Sequence, residues 1–433
     1  ISLFMFFCFL AMIGCFTRIS SFLAAVCGLY VIGIPQFYGK VSHHHHLIWF
    51  MFIFSSCRCA DVLSIDSIRK AFKEADQGIV SNNLKSNEYA LPLRYIWLLM
   101  GVIYFFPGLW KIITSQLYWA FSDNMKYQLY EKWFLLDGWT PFFRIDHYPF
   151  LYKLGGLMTL LFETSFIFLI LFPKTRMLAA ISGLLFHNFT NLFMKIPFFS
   201  LQVCYVSFID WNKILIQAGN KIFKKTPYVI YYGNCKICRR IAALFTKFDI
   251  FQRIIYVNAL SPRPYPTDLS RVDLTRLKHI IIPSKKTSSG NQMILCVGTV
   301  LLITNIAFGL GNIRSSWPFA CYPTFSDRIY KPTIQIITLY EVKGTEENII
   351  NLDTLSHRMK PQRLIGMIQN IINVPESHQK IKKLKSFVLL MKRNGVSLSK
   401  YSKIRFYKTV HSTLPERYSN SLISRELVAE VQQ

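Results

Sequence analysis

The chain has 433 residues, 52% of them hydrophobic and 15% aromatic, and a mean hydropathy of +0.28. That mixture is more apolar than ordinary soluble domains and excludes a disordered or simply soluble class. The formal net charge of +27 would suit nucleic acid. The basic residues, however, gather in loops and in the C-terminal half, as they do beside anionic headgroups, so membrane lipids are the expected partners and nucleic acid is not.

The elements follow in chain order. The chain opens on Ile1, with no charged region or cleavage site ahead of its first apolar run, so an upstream segment is expected and a signal peptide is not. Apolar runs cover 1–16 and 19–37, and "KVSHHHH" leads into a short third run, "LIWFMFIFSSC". Residues 60–90 are polar, with helical spacing near "SIRKAFKEA". A fourth run, 93–114, carries one charge in its apolar interior, Lys111. Residues 115–150 interleave Trp, Tyr and Phe with charges, a composition that favours the membrane–water interface. A fifth run, 152–173, holds Glu163. A sixth, 177–209, holds His187, and Pro197 predicts a break in it.

From 212 to 291 the chain is polar and strongly basic. "YVIYYGNCKICRRIAALFTKF" predicts a strand, a tight turn and a helix; "RIIYVNAL" and "LKHIIIP" are further strand candidates. A last apolar run covers 293–310. "TIQIITLYEV" and "ENIINL" then predict paired strands, and the Lys- and Ser-rich final sixty residues are expected to be partly disordered. There is no internal repeat. The basic segment and the basic tail flank a single apolar run, so the positive-inside rule points both ways and leaves the orientation open.

Of the ten cysteines, Cys8, Cys15, Cys27 and Cys204 lie in apolar runs as small hydrophobes. Only Cys57-Arg-Cys59 and Cys235-x-x-Cys238 are closely paired, which is not a secreted disulfide framework. A disulfide across the single residue between Cys57 and Cys59 would be strained.

Several motifs resemble a known family. "FCFLAMIGCFTRISSFLAAVCGLY", "HHHHLIWFMFIFSS", "LSID", "YFFPGLWK" and "LFHNFTNLFMKIPFFSLQ" are similar, in that order, to the membrane domain of the vitamin K-dependent gamma-carboxylase. That enzyme belongs to the horizontally transferred transmembrane family. The likeness covers about residues 1–210 and resumes at the last span and "SSWPFACYPTF". It implies that Lys111 stands where the family has an active-site lysine, the base that deprotonates vitamin K hydroquinone. It also aligns His187 and Glu163 with a family histidine and a family acid. The carboxylase has an Asn-His pair where this chain has Ala60-Asp61, and most of its large lumenal domain has no counterpart here. "VIYYGNCKICRR" resembles the DCC family of small thiol–disulfide oxidoreductases, with Tyr232 at the usual Asp position.

Together these readings give a mainly α fold: a polytopic transmembrane helix bundle of six to eight spans. A small thioredoxin-like α/β insert and a short C-terminal β segment complete it. The expected divisions are a membrane domain over 1–211, the insert over 226–290, a last span over 292–312, a β-containing segment over 313–375 and a basic tail over 376–433.

Each candidate residue carries a functional and a structural reading. Lys111 is a base whose ammonium form desolvation disfavours, or a lysine snorkelling to the headgroups. His187 orients substrate or donates to an oxyanion, or it bonds a neighbouring helix. Glu163 pairs with Lys111 or His187 and helps to bind substrate, or it is a packing bond. In the run His43–His46, His46 anchors at the interface or touches a quinone headgroup. Cys235 and Cys238 form a redox dithiol, Cys235 favoured as the exposed thiolate at a helix N-terminus beside Arg239 and Arg240. Otherwise the pair is vestigial, or half of a zinc site.

The leading functional expectation is a membrane-bound oxidoreductase acting on a quinone or hydroquinone type of lipid-soluble substrate, with Lys111 as base, a thiol redox partner and no metal. The alternatives are a non-enzymatic membrane module, such as an immunity or assembly factor, and a gamma-glutamyl carboxylase-like lyase.

Overall fold

Apolar stretches whose backbone groups find no other partners close on themselves as helices, and such helices set this fold. The computed structural model describes residues 1–37, 44–80, 89–223, 228–260, 288–314, 316–321, 325–350, 352, 361–398 and 403–432. It falls into two compact units. One comprises Ile1–Val31, His46–Met100 and Cys204–Thr304; the other comprises Ile32–His45, Gly101–Val203 and Asn305–Gln433.

The helices begin with α1 (Ser2–Met12), α2 (Thr17–Phe37), α3 (His45–Ser56), α4 (Ile65–Asp76) and α5 (Ala90–Ser115). The aromatic segment after them folds into a one-turn α6 (Tyr118–Phe121), α7 (Asn124–Phe134) and a 3-10 turn at Ile145–His147. Then come α8 (Pro149–Leu171), α9 (Arg176–Met194), a one-turn α10 (Phe199–Gln202), α11 (Trp211–Ile222), α12 (Lys236–Phe248) and α13 (Ser288–Leu310). The chain is mainly helical, and among the described residues five segments are long and apolar enough to cross a membrane: Thr17–Gln36, Ala90–Ser115, Pro149–Leu171, Arg176–Met194 and Gln292–Leu310.

Two expected spans fall short. α1 has 11 residues and α3 has 12; at 1.5 Å per residue each is under about 20 Å long, against a hydrocarbon core of about 30 Å. The run 177–209 does break as Pro197 predicts. α9 ends at Met194, Lys195 and Phe198 take left-handed backbone angles (φ 50° and 43°), and α10 then leads into a 3-10 turn at Val203–Phe208.

In the first unit, α4 begins with a capping box in which Ser64 and Ser67 satisfy each other's backbone N–H. Its Asp66 carboxylate reaches across to the first turn of α2, accepting from Phe16 N–H, Thr17 N–H and the Thr17 hydroxyl at 3.0, 2.7 and 2.8 Å. Strands β1 (Tyr228–Tyr231) and β2 (Ile255–Asn258) pair in parallel, with α12 between them in sequence. One β-α-β unit is therefore what the described residues give of the expected thioredoxin-like insert; the third strand candidate, 277–283, lies outside them. α12 packs on α4 through Ala71, Ala75 and Ala243.

In the second unit, β3 (Thr333–Lys343), β4 (Glu346–Ile349), β5 (Lys403–Ser412) and β6 (Leu422–Gln432) form an antiparallel sheet of order β4-β3-β5-β6. Helices α14 (Pro361–Ile372) and α15 (Ser377–Arg393) cover it. The expectation of a partly disordered basic tail, divided from the β segment at 375, is corrected here. β3 of the one pairs along its length with β5 of the other, and Leu384, Phe387 and Met391 of the lysine-rich α15 bury beside Leu339 and Phe406. The lysines Lys382, Lys383 and Lys385 take the exposed face of α15.

Candidate functional site

Tyr104 and Lys111 lie seven residues apart on α5, two turns along one helix face. Gly108 stands between them. A Cβ there would sit 2.8 Å from Glu163 Cβ and 2.9 Å from Thr164 Cγ2, so its absence lets α5 lie close against α8. Across that contact Lys111 Nζ donates to both carboxylate oxygens of Glu163, at 2.7 and 2.6 Å. Lys111 is 1% exposed and Glu163 6%; the ammonium turns inward, not to a surface as a snorkelling lysine would. It also lies 5.1 Å from the Trp119 ring centroid, and the Trp119 indole is fixed by donating to Phe325 O at 2.8 Å.

His187 comes from α9 and is 1% exposed. Its Nε2 is 2.8 Å from the Tyr104 hydroxyl, and its ring packs against Phe186 and Phe198. Phe198 reaches it because the chain turns back after Met194 at the two left-handed residues. Tyr104, Lys111, Glu163 and His187 all line one cavity of about 80 Å³, with Gln128, Thr159 and Thr190 as further polar walls and Ile103, Pro107, Met125 and Phe325 among the apolar ones.

Such a volume holds two or three waters at about 30 Å³ each. A quinol ring needs more: a cavity of about 150 Å³ is the size known to take benzene. Entry of a ring therefore requires neighbouring side chains to move. What the arrangement offers as it stands is a net-neutral carboxylate–ammonium pair and a phenol–imidazole pair in one largely apolar chamber, groups that can each hold or hand on a proton.

His46 is elsewhere. It is buried in α3, in the first unit, with its ring against Phe50, and it does not line the cavity. His44 is exposed, with Nδ1 3.3 Å from Ser200 Oγ; His43 lies outside the described residues. Among the described residues no three His, Cys, Asp or Glu side chains converge as metal ligands would.

The Cys-x-x-Cys motif sits where a strand-turn-helix places it. Cys235 is the N-cap of α12 and its sulfur accepts from Cys238 N–H at 3.2 Å. The two are joined as a disulfide, Cα atoms 5.2 Å apart, and both are half-buried; Cys235 is not singled out by exposure. Nor do the arginines surround the sulfurs as expected. Arg239 donates to Ala75 O at 2.6 Å and to Gly233 O. Arg240 forms a two-pronged pair with Asp76 at 2.8 and 2.6 Å, and Lys236 adds a contact at 3.4 Å. The Arg240 hydrogen bonds, with those of Lys236, hold the Asp76 carboxyl below its ordinary value. A guanidinium finds a better partner in a carboxylate or the end of a helix than in a sulfur already bonded.

Sequence reasoning missed Tyr104, Gln128 and Thr159. Tyr104 and Thr159 had a signal, a two-turn offset from Lys111 on α5 and a one-turn offset from Glu163 on α8; Gln128 is separated in sequence from every motif. Comparison with protein-family models, with curated proteins and with solved structures gave no match.

Proposed function

We propose that this chain is an integral, multi-pass membrane oxidoreductase in which Lys111 handles the proton of a quinol-type, lipid-soluble substrate. The observation that carries this reading is the sharing of one cavity by the Lys111–Glu163 and Tyr104–His187 pairs, between helices apolar enough to span a bilayer. Ionisable groups in such a place are a functional hypothesis by default. In low dielectric the pair can pass its proton from ammonium to carboxylate, leaving a neutral amine beside a neutral acid. The free amine then takes a proton from a substrate O–H, and the Tyr104–His187 pair is disposed to donate to the oxyanion left behind. Oxidation of one quinol to quinone releases two electrons and two protons, which is what the Cys235–Cys238 disulfide takes up in becoming a dithiol. The resemblance to the carboxylase-related family supports the role of Lys111 in this scheme.

The test is quinol oxidation by the full chain in proteoliposomes, followed by quinone absorbance. Lys111→Met should lower the rate by about 100-fold or more, the usual range for a lost general base; without an added acceptor the wild type should form one quinone per chain, as its disulfide is reduced, and Cys235→Ser none. A wild-type rate equal to that of empty liposomes would defeat the proposal.

A second reading has its own observation. The ion pair is closed, with both carboxylate oxygens on Lys111, and Arg239 and Arg240 tie α12 to α4. On this reading the chain is a non-enzymatic membrane module held by these ties. It predicts that Lys111→Met combined with Glu163→Leu leaves whatever the protein does unchanged.

A further inference from the structure

The second close pair of cysteines has no part in the site above. α3 ends at Ser56, and Cys57 and Cys59 follow in the turn to α4. Both thiols come back to one acceptor on the last turn of α3: Cys57 Sγ donates to Phe54 O at 3.7 Å and Cys59 Sγ to the same oxygen at 3.4 Å. The intervening Arg58 is drawn away by Asp61, at 2.7 Å, and Asp61 also accepts from the Tyr89 hydroxyl at 2.5 Å. The turn is thus held from one side while the two sulfurs converge on the other. Their exposure is unequal: Cys57 is buried and Cys59 exposed.

We propose that Cys57 and Cys59 form a second reversible dithiol–disulfide couple, in which exposed Cys59 exchanges with small-molecule disulfides and buried Cys57 resolves the mixed disulfide. The steps balance with a disulfide such as oxidised glutathione as oxidant. Cys59 thiolate attacks one sulfur of R–S–S–R, forming Cys59–S–S–R and releasing RS⁻. The Cys57 sulfur then attacks Cys59 Sγ, closing the intramolecular bond and releasing the second RS⁻. The two thiol protons pass to the two leaving thiolates, so one dithiol and one disulfide become one disulfide and two thiols.

The asymmetry suits these roles, since attack needs access and resolution needs only proximity. The neighbouring Cys57 thiol holds Cys59 below the ordinary thiol range, burial opposing this and the charge of Arg18 adding to it, while Cys59 and burial push Cys57 up. A bond closed across one residue is strained, and strained disulfides are the oxidising, labile ones. The pair is therefore expected to rest as a dithiol and to respond to oxidant. It is also remote from Cys235–Cys238. Arg239 meets Ala75 at one end of α4 and Leu63 N–H meets Lys247 O just before the other, so α4 and α12 run antiparallel. The two thiol pairs stand at opposite ends of α4, whose 12 residues span about 18 Å.

The test equilibrates the full chain in native membranes with mixtures of reduced and oxidised glutathione, traps it with acid and N-ethylmaleimide, and digests it with trypsin. Cleavage after Arg58 parts the two cysteines, so their bond appears as a linked pair of peptides. The wild type should give that linked pair as oxidant rises, with little glutathione on Cys59. Cys57→Ser should raise the glutathione adduct on Cys59 by about tenfold or more, the resolving sulfur being gone. A wild type that accumulates the adduct on Cys59 while Cys57 is alkylated would overturn the proposal. So would a peptide linking Cys59 to Cys235 or Cys238. The wild-type measurement decides the matter even if the variant fails to fold.

Discussion

Lys111 and Glu163 stabilise the fold only as a pair. Removing one partner strands the other's charge in an apolar interior, at a cost of about 3–5 kcal/mol, whereas replacing both by apolar residues of similar volume is often neutral or better. Lys111→Met alone and Glu163→Leu alone should each lower the unfolding midpoint in detergent markedly. The double variant should lie closer to the wild type than either. If the three losses simply add, the two side chains do not form the contact described. The same cycle separates stability from activity: the enzyme reading needs the double variant to be folded and inactive. The residues that carry the pair were legible from the start, because a charge deep inside an apolar run stands out in any reading of 93–114 or 152–173. Their conjunction was not. It depends on a close approach of α5 and α8 that Gly108 permits and that no local pattern announces.

At the scale of elements, the junction of α2 and α4 is held by a carboxylate of one helix serving the N-terminus of the other. Burial acts to raise the Asp66 carboxyl, but the Thr17 N–H and hydroxyl, then the Phe16 N–H and the charge of Arg69, hold it below its ordinary value. A carboxylate depressed in the folded state contributes stability that is fully present above its unfolded value of about 3.9 and is lost as pH falls through the lower, folded one. Asp66→Asn should therefore be less stable near neutrality and lose less than the wild type between about pH 5 and pH 2. Helical signal against denaturant at each pH reads this directly, and parallel acid limbs for the two proteins would contradict it. Elements differed in how plainly the sequence showed them. The long helices were marked by unbroken apolarity, and the strand-turn-helix at Cys235 by its turn residues. Half of the C-terminal sheet was legible, since β3 and β4 pair as their apolar runs predicted; β5 and β6 were hidden. In β5 the buried Ile404 and Phe406 are flanked by Lys403, Arg405 and Lys408, which break up its apolar pattern. β6, at the sheet edge, is exposed along most of its length, so no apolar alternation marks it. Strands like these are recovered by pairing with distant β3, not by local period.

At the scale of the whole molecule, the contact between α4 and α12 constrains how often the chain can pass through a bilayer. Helices joined by Arg240–Asp76 and Arg239–Ala75 stand on the same side of it, so the residues between them must cross an even number of times. Three of the five membrane-length helices, Ala90–Ser115, Pro149–Leu171 and Arg176–Met194, lie in that interval. Three is odd. If all three cross, a fourth passage is required, and the apolar segment Phe199–Phe208 follows the reversal at Lys195–Phe198 where such a return would begin. Its last residue stacks on Trp97 near the start of α5, and Ser207 accepts from the same indole, which brings the chain back toward the end of α5 that follows α4. In sealed vesicles, cysteines placed at Gln77 and at Asp249 should react with a membrane-impermeant maleimide from the same side. Labelling from opposite sides would mean that the two helices never meet. A return passage beginning at the break at Pro197 would make the number of crossings even, and both thiol pairs would then face one compartment.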